Sequence, residues 1–73
     1  MADNADIAAN VRAELARGNH SRQPLAELLG VSRMGIHRRL SGETPFRADE
    51  LSKIAEHIGV PISRLLGEEK ASA

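Results

Sequence analysis

Between Ser21 and Gly42 the chain reads SRQPLAELLGVSRMGIHRRLSG, and this stretch constrains the fold more than any other. Gly30 divides it into two segments, each with room for only a short helix. In the first, Ser21 is the expected start, because its hydroxyl can accept from the orphan N–H groups of a helix end. Pro24 falls in the first turn, where a missing N–H costs little. Leu25, Leu28 and Leu29 form the expected inner face. Gly30 opens a tight turn, Val31 follows it, and Ser32 is placed to cap a second helix running from about Arg33 to Leu40. There Ile36 and Leu40 point inward, while Met34 and Arg38 lie on roughly the opposite side. Helices this short depend on neighbours for stability, so the flanking sequence must supply the packing.

The flanks have the pattern to do so. Before the pair, Ile7, Val11 and Leu15 recur every four residues, with Ala8 widening the stripe. That spacing predicts an amphipathic helix, capped by Asp3 or Asn4 and ending near Arg17, with Gly18 taking the left-handed conformation at its stop. After the pair, Glu43-Thr44-Pro45 reads as a loop, with Pro45 and Phe46 anchoring it against the core. Asp49 and Glu50 suit the first turn of a fourth helix, at the positive end of its dipole. Leu51, Ile54, Ala55 and Ile58 continue it to Gly59. Pro61 opens a short fifth helix with Ile62, Leu65 and Leu66 as its apolar residues and Gly67 as its stop. No strand pattern, repeat or low-complexity segment is present. Residues 1–67 therefore read as one all-α domain, and 68–73 as a flexible polar tail.

A chain of 73 residues holds one small domain with a thin core. Phe46 is its only aromatic residue, so packing is aliphatic. There is no Cys, hence no disulfide framework, thiolate metal site or cysteine nucleophile. No apolar run approaches membrane-spanning length and no charged-then-apolar leader opens the sequence, so a cytoplasmic location is expected. Net charge is zero, but its distribution is uneven. Residues 17–47 hold Arg17, Arg22, Arg33, Arg38, Arg39 and Arg47 against Glu27 and Glu43, a local +4, while residues 1–16 and 48–73 each carry −2. A positive centre with acidic flanks points to a phosphate-facing surface.

The run Ser21-Arg22-Gln23-Pro24-Leu25-Ala26-Glu27-Leu28-Leu29-Gly30-Val31-Ser32-Arg33, followed by Ile36 and Gly42, resembles the helix-turn-helix of the Xre family, the phage repressor and Cro type. Glu50 to Val60 resembles that family's fourth helix, and Pro61 to Leu66 its fifth. The resemblance covers roughly residues 5–67. It implies a compact five-helix bundle of the lambda-repressor-like type, with a helix-turn-helix at helices 2 and 3. Small Ala26 would let those helices approach closely, and Leu25, Leu29, Val31 and Ile36 would hold their crossing from inside. The family's base-reading positions fall on Arg33, Met34, His37 and Arg38. Arginine can grip guanine O6 and N7 with two hydrogen bonds, worth about 1–3 kcal/mol of discrimination. Phosphate contacts would fall on Arg22, which stands where the family often has Gln, on Gln23 beside it, on Arg39, and on Ser41, Thr44 and Arg47 after the reading helix. Two departures stand out. Arg39 occupies a usually apolar position and Leu40 one where Glu is common. The expectation is that Leu40 takes over the packing and turns Arg39 toward the DNA backbone.

The expected partner is a duplex operator, pseudo-palindromic if two copies bind half-sites about 10 bp apart. Ile62, Leu65 and Leu66 form the expected face for a homodimer on DNA. Other readings on the same residues are an antitoxin repressing its own operon, a phage recombination factor, or an interaction module docking a protein through Ile62, Leu65 and Leu66. No cofactor, metal or small-molecule substrate is expected. His20, His37 and His57 share no metal-ligand spacing, and no Ser has a His base and acid in a catalytic pattern.

Overall fold

The computed structural model describes residues 3–67. They form five helices, α1 (Asn4–Arg17), α2 (Gln23–Leu29), α3 (Arg33–Leu40), α4 (Ala48–Ile58) and α5 (Ile62–Leu66). The expected all-α five-helix bundle is what the chain adopts. The expected tail, 68–73, lies outside the described residues. No helix among those described is long and apolar enough to cross a membrane.

Helix starts follow the side-chain acceptors in two cases. Asp3 accepts from the Asp6 N–H at 2.9 Å to open α1, and Ser32 accepts from the Gly35 N–H at 3.0 Å to open α3. The second helix departs from expectation. It begins at Gln23 rather than Ser21, and Arg22 at its N-cap makes no side-chain capping bond. Pro24 supplies the reason: it has no N–H and its ring presets φ, so the first turn has one fewer donor to satisfy.

The helix ends share one device. In each of the first four, the residue after a left-handed position donates its N–H five residues back: His20 to Leu15 O, Val31 to Ala26 O, Glu43 to Arg38 O and Val60 to Ala55 O, at 2.8–3.0 Å. This is the Schellman arrangement, which satisfies orphan carbonyls and turns the chain sharply. Gly30, Gly42 and Gly59 occupy the left-handed position with φ of 67°, 87° and 76°. At the end of α1, Asn19 takes it instead (φ 57°), while Gly18 keeps φ −90°. Gly18 is needed there for a different reason. A Cβ on it would come within 2.5–2.6 Å of the His20 ring, which folds back over the helix end.

The core is Val11 and Leu15 from α1, Leu25 and Ala26 from α2, Ile36 and Leu40 from α3, Leu51, Ile54 and Ala55 from α4, and Leu65 from α5. Leu40 is buried, as the departure from the family pattern implied. Leu28 is not part of the inner face. It is 37% exposed, because the inward stripe of α2 is Leu25, Ala26 and Leu29 and the next residue round the helix turns out. Phe46 packs against the core, whereas Pro45 stays exposed.

Polar side chains on α1 tie the other elements to it. Asn4 Nδ2 donates to Gly42 O at 2.6 Å, Asn10 Nδ2 donates to Leu65 O at 3.0 Å, and Arg12 Nη1 donates to Leu40 O. Each acceptor is a carbonyl at or just beyond a helix C-terminus, where no intrahelical donor remains. The first helix therefore fixes the far end of α3, and with it the angle at which α3 is presented.

Candidate nucleic-acid interface

The outward face of α3 follows from the inward one. With Ile36 and Leu40 in the core, Arg33 and His37 form one exposed row at i, i+4, and Met34, Arg38 and Ser41 form a second at i, i+4, i+7. Met34 is 56% exposed, an unusual setting for a large apolar side chain. The four residues expected to read bases thus share one accessible surface. Gly35 lies past the second row, on the side of Arg39, and has no side chain to stand off a neighbouring surface. A Cβ there would already lie 3.2 Å from Val31 Cβ and 3.3 Å from the capping Ser32 Oγ.

The residues expected on phosphate do not all behave alike. Arg22 and Gln23 are exposed at the start of α2, facing the row of Arg33 and His37. Together with Ala26 and Ile36 these four line an open concavity of about 300 Å³. Thr44 is half-buried, and its N–H and that of Glu43 both donate to Arg38 O. The Ser41 hydroxyl donates to the same carbonyl at 3.0 Å. Arg47 is exposed and rests against Asp49 at 3.2 Å, a surface pair of small energetic consequence.

Arg39 is the exception. Its Nε donates to Glu50 Oε1 at 3.2 Å and its Nη1 to Gly35 O at 3.1 Å, with the side chain only 17% exposed. The expected release toward the DNA backbone does not occur. Glu50 sits at the start of α4, where its carboxylate also accepts from the Arg47 N–H at 2.9 Å. That acceptor, largely screened from water, holds the guanidinium inward. Leu65 needs a second correction. It is completely buried, anchoring α5 against the core, and so offers nothing to a partner. Of the expected dimer face, exposed Ile62 and half-buried Leu66 remain accessible.

The ion pairs sharpen the electrostatic picture. Arg17 and Arg64 both approach Glu14, Arg39 pairs with Glu50, and Arg47 with Asp49. Arg22, Arg33 and Arg38 make no ion pair or side-chain hydrogen bond among the described residues. All three stand on α3 or at the start of α2. The chain is neutral overall, but the charge left uncompensated by close partners includes this surface.

Sequence reasoning missed three features. The bond from Arg12 to the end of α3 carries no sequence signal beyond an Arg on a polar face. The burial of Glu14 beside Leu15, with two arginines at its carboxylate, has none either. The third is a pairing in space: His20 and His57, distant in sequence, bring their ring centroids to 6.0 Å. Among the described residues no cluster of three or more candidate metal ligands forms.

A short α2, a left-handed glycine, a capped α3 with an exposed basic face and three supporting helices define a helix-turn-helix domain. Residues 11–65 match the family model described as helix-turn-helix, and the chain belongs to that family of DNA-binding domains. No curated protein matches it.

Proposed function

We propose that this protein is a sequence-specific transcriptional regulator of the Xre or Cro kind, a phage or prokaryotic repressor that inserts α3 into the major groove of an operator. Arg33, Met34 and Arg38 face the base edges, His37 beside them donates to a base or a phosphate, and Arg22, Gln23, Ser41, Thr44 and Arg47 lie along the backbone. The observation that carries this reading is the set of partner-free arginines Arg22, Arg33 and Arg38 on one surface. A folded protein satisfies most of its long cationic side chains locally or in open solvent. Three gathered at one helix pair suit a polyanion, and a planar, forked guanidinium suits both phosphate oxygens and the guanine edge. Met34 between them suits a thymine methyl.

The test is selection of duplexes from a random library, followed by titration of the selected site against random duplex at two salt concentrations. A selected site with two inverted half-sites about 10 bp apart is expected, with binding to random duplex falling steeply with salt. Equal affinity for selected and random DNA at both salt concentrations would overturn the proposal.

A further inference from the structure

We infer that Arg12 of α1 and His37 of α3 form, with Arg22, a clasp for a backbone phosphate of the bound duplex, distinct from the base-reading row. The inference rests on the DNA-binding reading above and assigns a role to a helix that reading leaves as support. A second open concavity, of about 310 Å³, lies beside the first and is lined by Arg12, Arg22, His37, Leu40 and Ser41. Arg22 and His37 line both concavities, so the two adjoin as a furrow between α2 and α3, with Arg12 of α1 on its edge. Its lining includes guanidinium and imidazole donors and no carboxylate.

Arg12 is held in place there. Its Nη1 donates to Leu40 O, which orients the planar guanidinium and leaves its remaining N–H donors for a ligand. An arginine already ordered by one bond loses less rotamer freedom on gripping a second partner. The ligand that fits is a monoanionic phosphodiester. It offers two non-bridging oxygens to donors arriving from Arg12 on one side and Arg22 on the other, with His37 Nδ1–H or Nε2–H donating between them. In this arrangement His37 is a backbone residue rather than a base reader. Arg12 also links the phosphate to the C-terminal end of α3, so that backbone contact and helix placement act through one side chain.

Phosphate contacts contribute to the salt dependence of binding but carry no sequence information, and this separates the inference from a purely structural role. Binding of the wild type, Arg12→Gln, Arg12→Lys and His37→Ala to the selected operator and to random duplex is measured across a salt series. Arg12→Gln removes the charge and keeps a donor for Leu40 O. Its slope of log K against log salt is expected to shallow by about 0.9, the value for one phosphate. Affinity for operator and random duplex should fall by the same factor. Arg12→Lys is expected to restore the slope. His37→Ala should weaken both duplexes equally, with the selected base preference unchanged. An Arg12→Gln slope equal to that of the wild type overturns the inference, as does a loss confined to the operator, which would mean that Arg12 acts only by setting α3. A change of base preference in His37→Ala overturns the assignment of His37. Thermal melting of each variant identifies one that has lost its fold, and Arg12→Lys keeps the test open in that event. A wild type without operator preference would instead refute the functional reading, and the salt slopes would still report on the clasp.

Discussion

The Arg39 guanidinium lies against the Glu50 carboxylate, Nε to Oε1 at 3.2 Å, and so joins the last turn of α3 to the start of α4. Both side chains are largely shielded, at 17% and 10% exposure. The same carboxylate accepts from the Arg47 N–H, so one group serves the ion pair and the first turn of α4. Removing it strands a guanidinium that keeps only Gly35 O as an acceptor. Hydrogen bonds to charged groups contribute about 1.5–3 kcal/mol. Glu50→Ala is expected to lower unfolding stability by that amount in urea titration. Arg39→Met, which retains much of the apolar stem, should cost less and leave the salt slope of DNA binding unchanged. A shallower slope in Arg39→Met would show that Arg39 reaches phosphate after all.

The end of α1 gives a second prediction. Asn19 holds φ 57°, a conformation that costs most L-residues about 1–2 kcal/mol and that Asn and Gly tolerate. Asn19→Ala should therefore destabilise by about 1 kcal/mol, equivalent to about 4–8 °C in melting temperature for a domain of this size. Asn19→Gly should match or exceed the wild type. Equal melting temperatures for the Ala and Gly variants would contradict the assignment of strain to this residue.

What the sequence conveyed, and what it withheld, follows from the range of the interactions involved. The apolar spacing in α1 and α4, the cap at Ser32 and the helix stops at Gly30 and Gly59 are local, decided by residues within one or two turns, and all were legible. The inward pair Ile36 and Leu40 fixed which face of α3 turns outward, so the exposed row could be read from the same spacing. Arg39 could not be read that way. Its position on the helix wheel leaves it between core and solvent, and the choice was made by Glu50, eleven residues on and in another helix. Leu65 was apolar in a five-residue helix, where spacing cannot tell core from surface. The anchoring of Arg12 could not be read at all, because its acceptor, Leu40 O, belongs to the backbone and leaves no trace in the sequence pattern.

The burial contrast within α5 separates stability from association. Leu65 is fully buried and Ile62 is 36% exposed. Leu65→Ala should cost about 2–5 kcal/mol, as for other deletions of buried leucine, and is unsuitable for asking about dimers. Ile62→Ser should stay within about 0.5 kcal/mol of the wild type, as exposed substitutions do. If the exposed part of α5 pairs two copies on an operator, Ile62→Ser lowers cooperativity on a double half-site while leaving affinity for a single half-site intact. Unchanged cooperativity in this variant would exclude that face.

Arg33, Arg38 and Arg22 are all partner-free, but they stand differently, and this yields the sharpest expectation for the interface. Arg33 and Arg38 project from the exposed rows of α3, whereas Arg22 lies across the furrow at the start of α2. A helix lying in the major groove presents its own rows to base edges and leaves the preceding helix at the backbone. Arg38→Ala and Arg33→Ala should each relax preference at one base pair per half-site, narrowing discrimination by about 1–3 kcal/mol. Binding to random duplex should change much less. Arg22→Ala should weaken operator and random duplex by a common factor and shallow the salt slope by about 0.9. Repeating the random-library selection with each variant checks the assignment position by position. A selected site for Arg38→Ala identical to that of the wild type would remove Arg38 from the reading row, and an altered consensus for Arg22→Ala would move the base-reading surface toward α2.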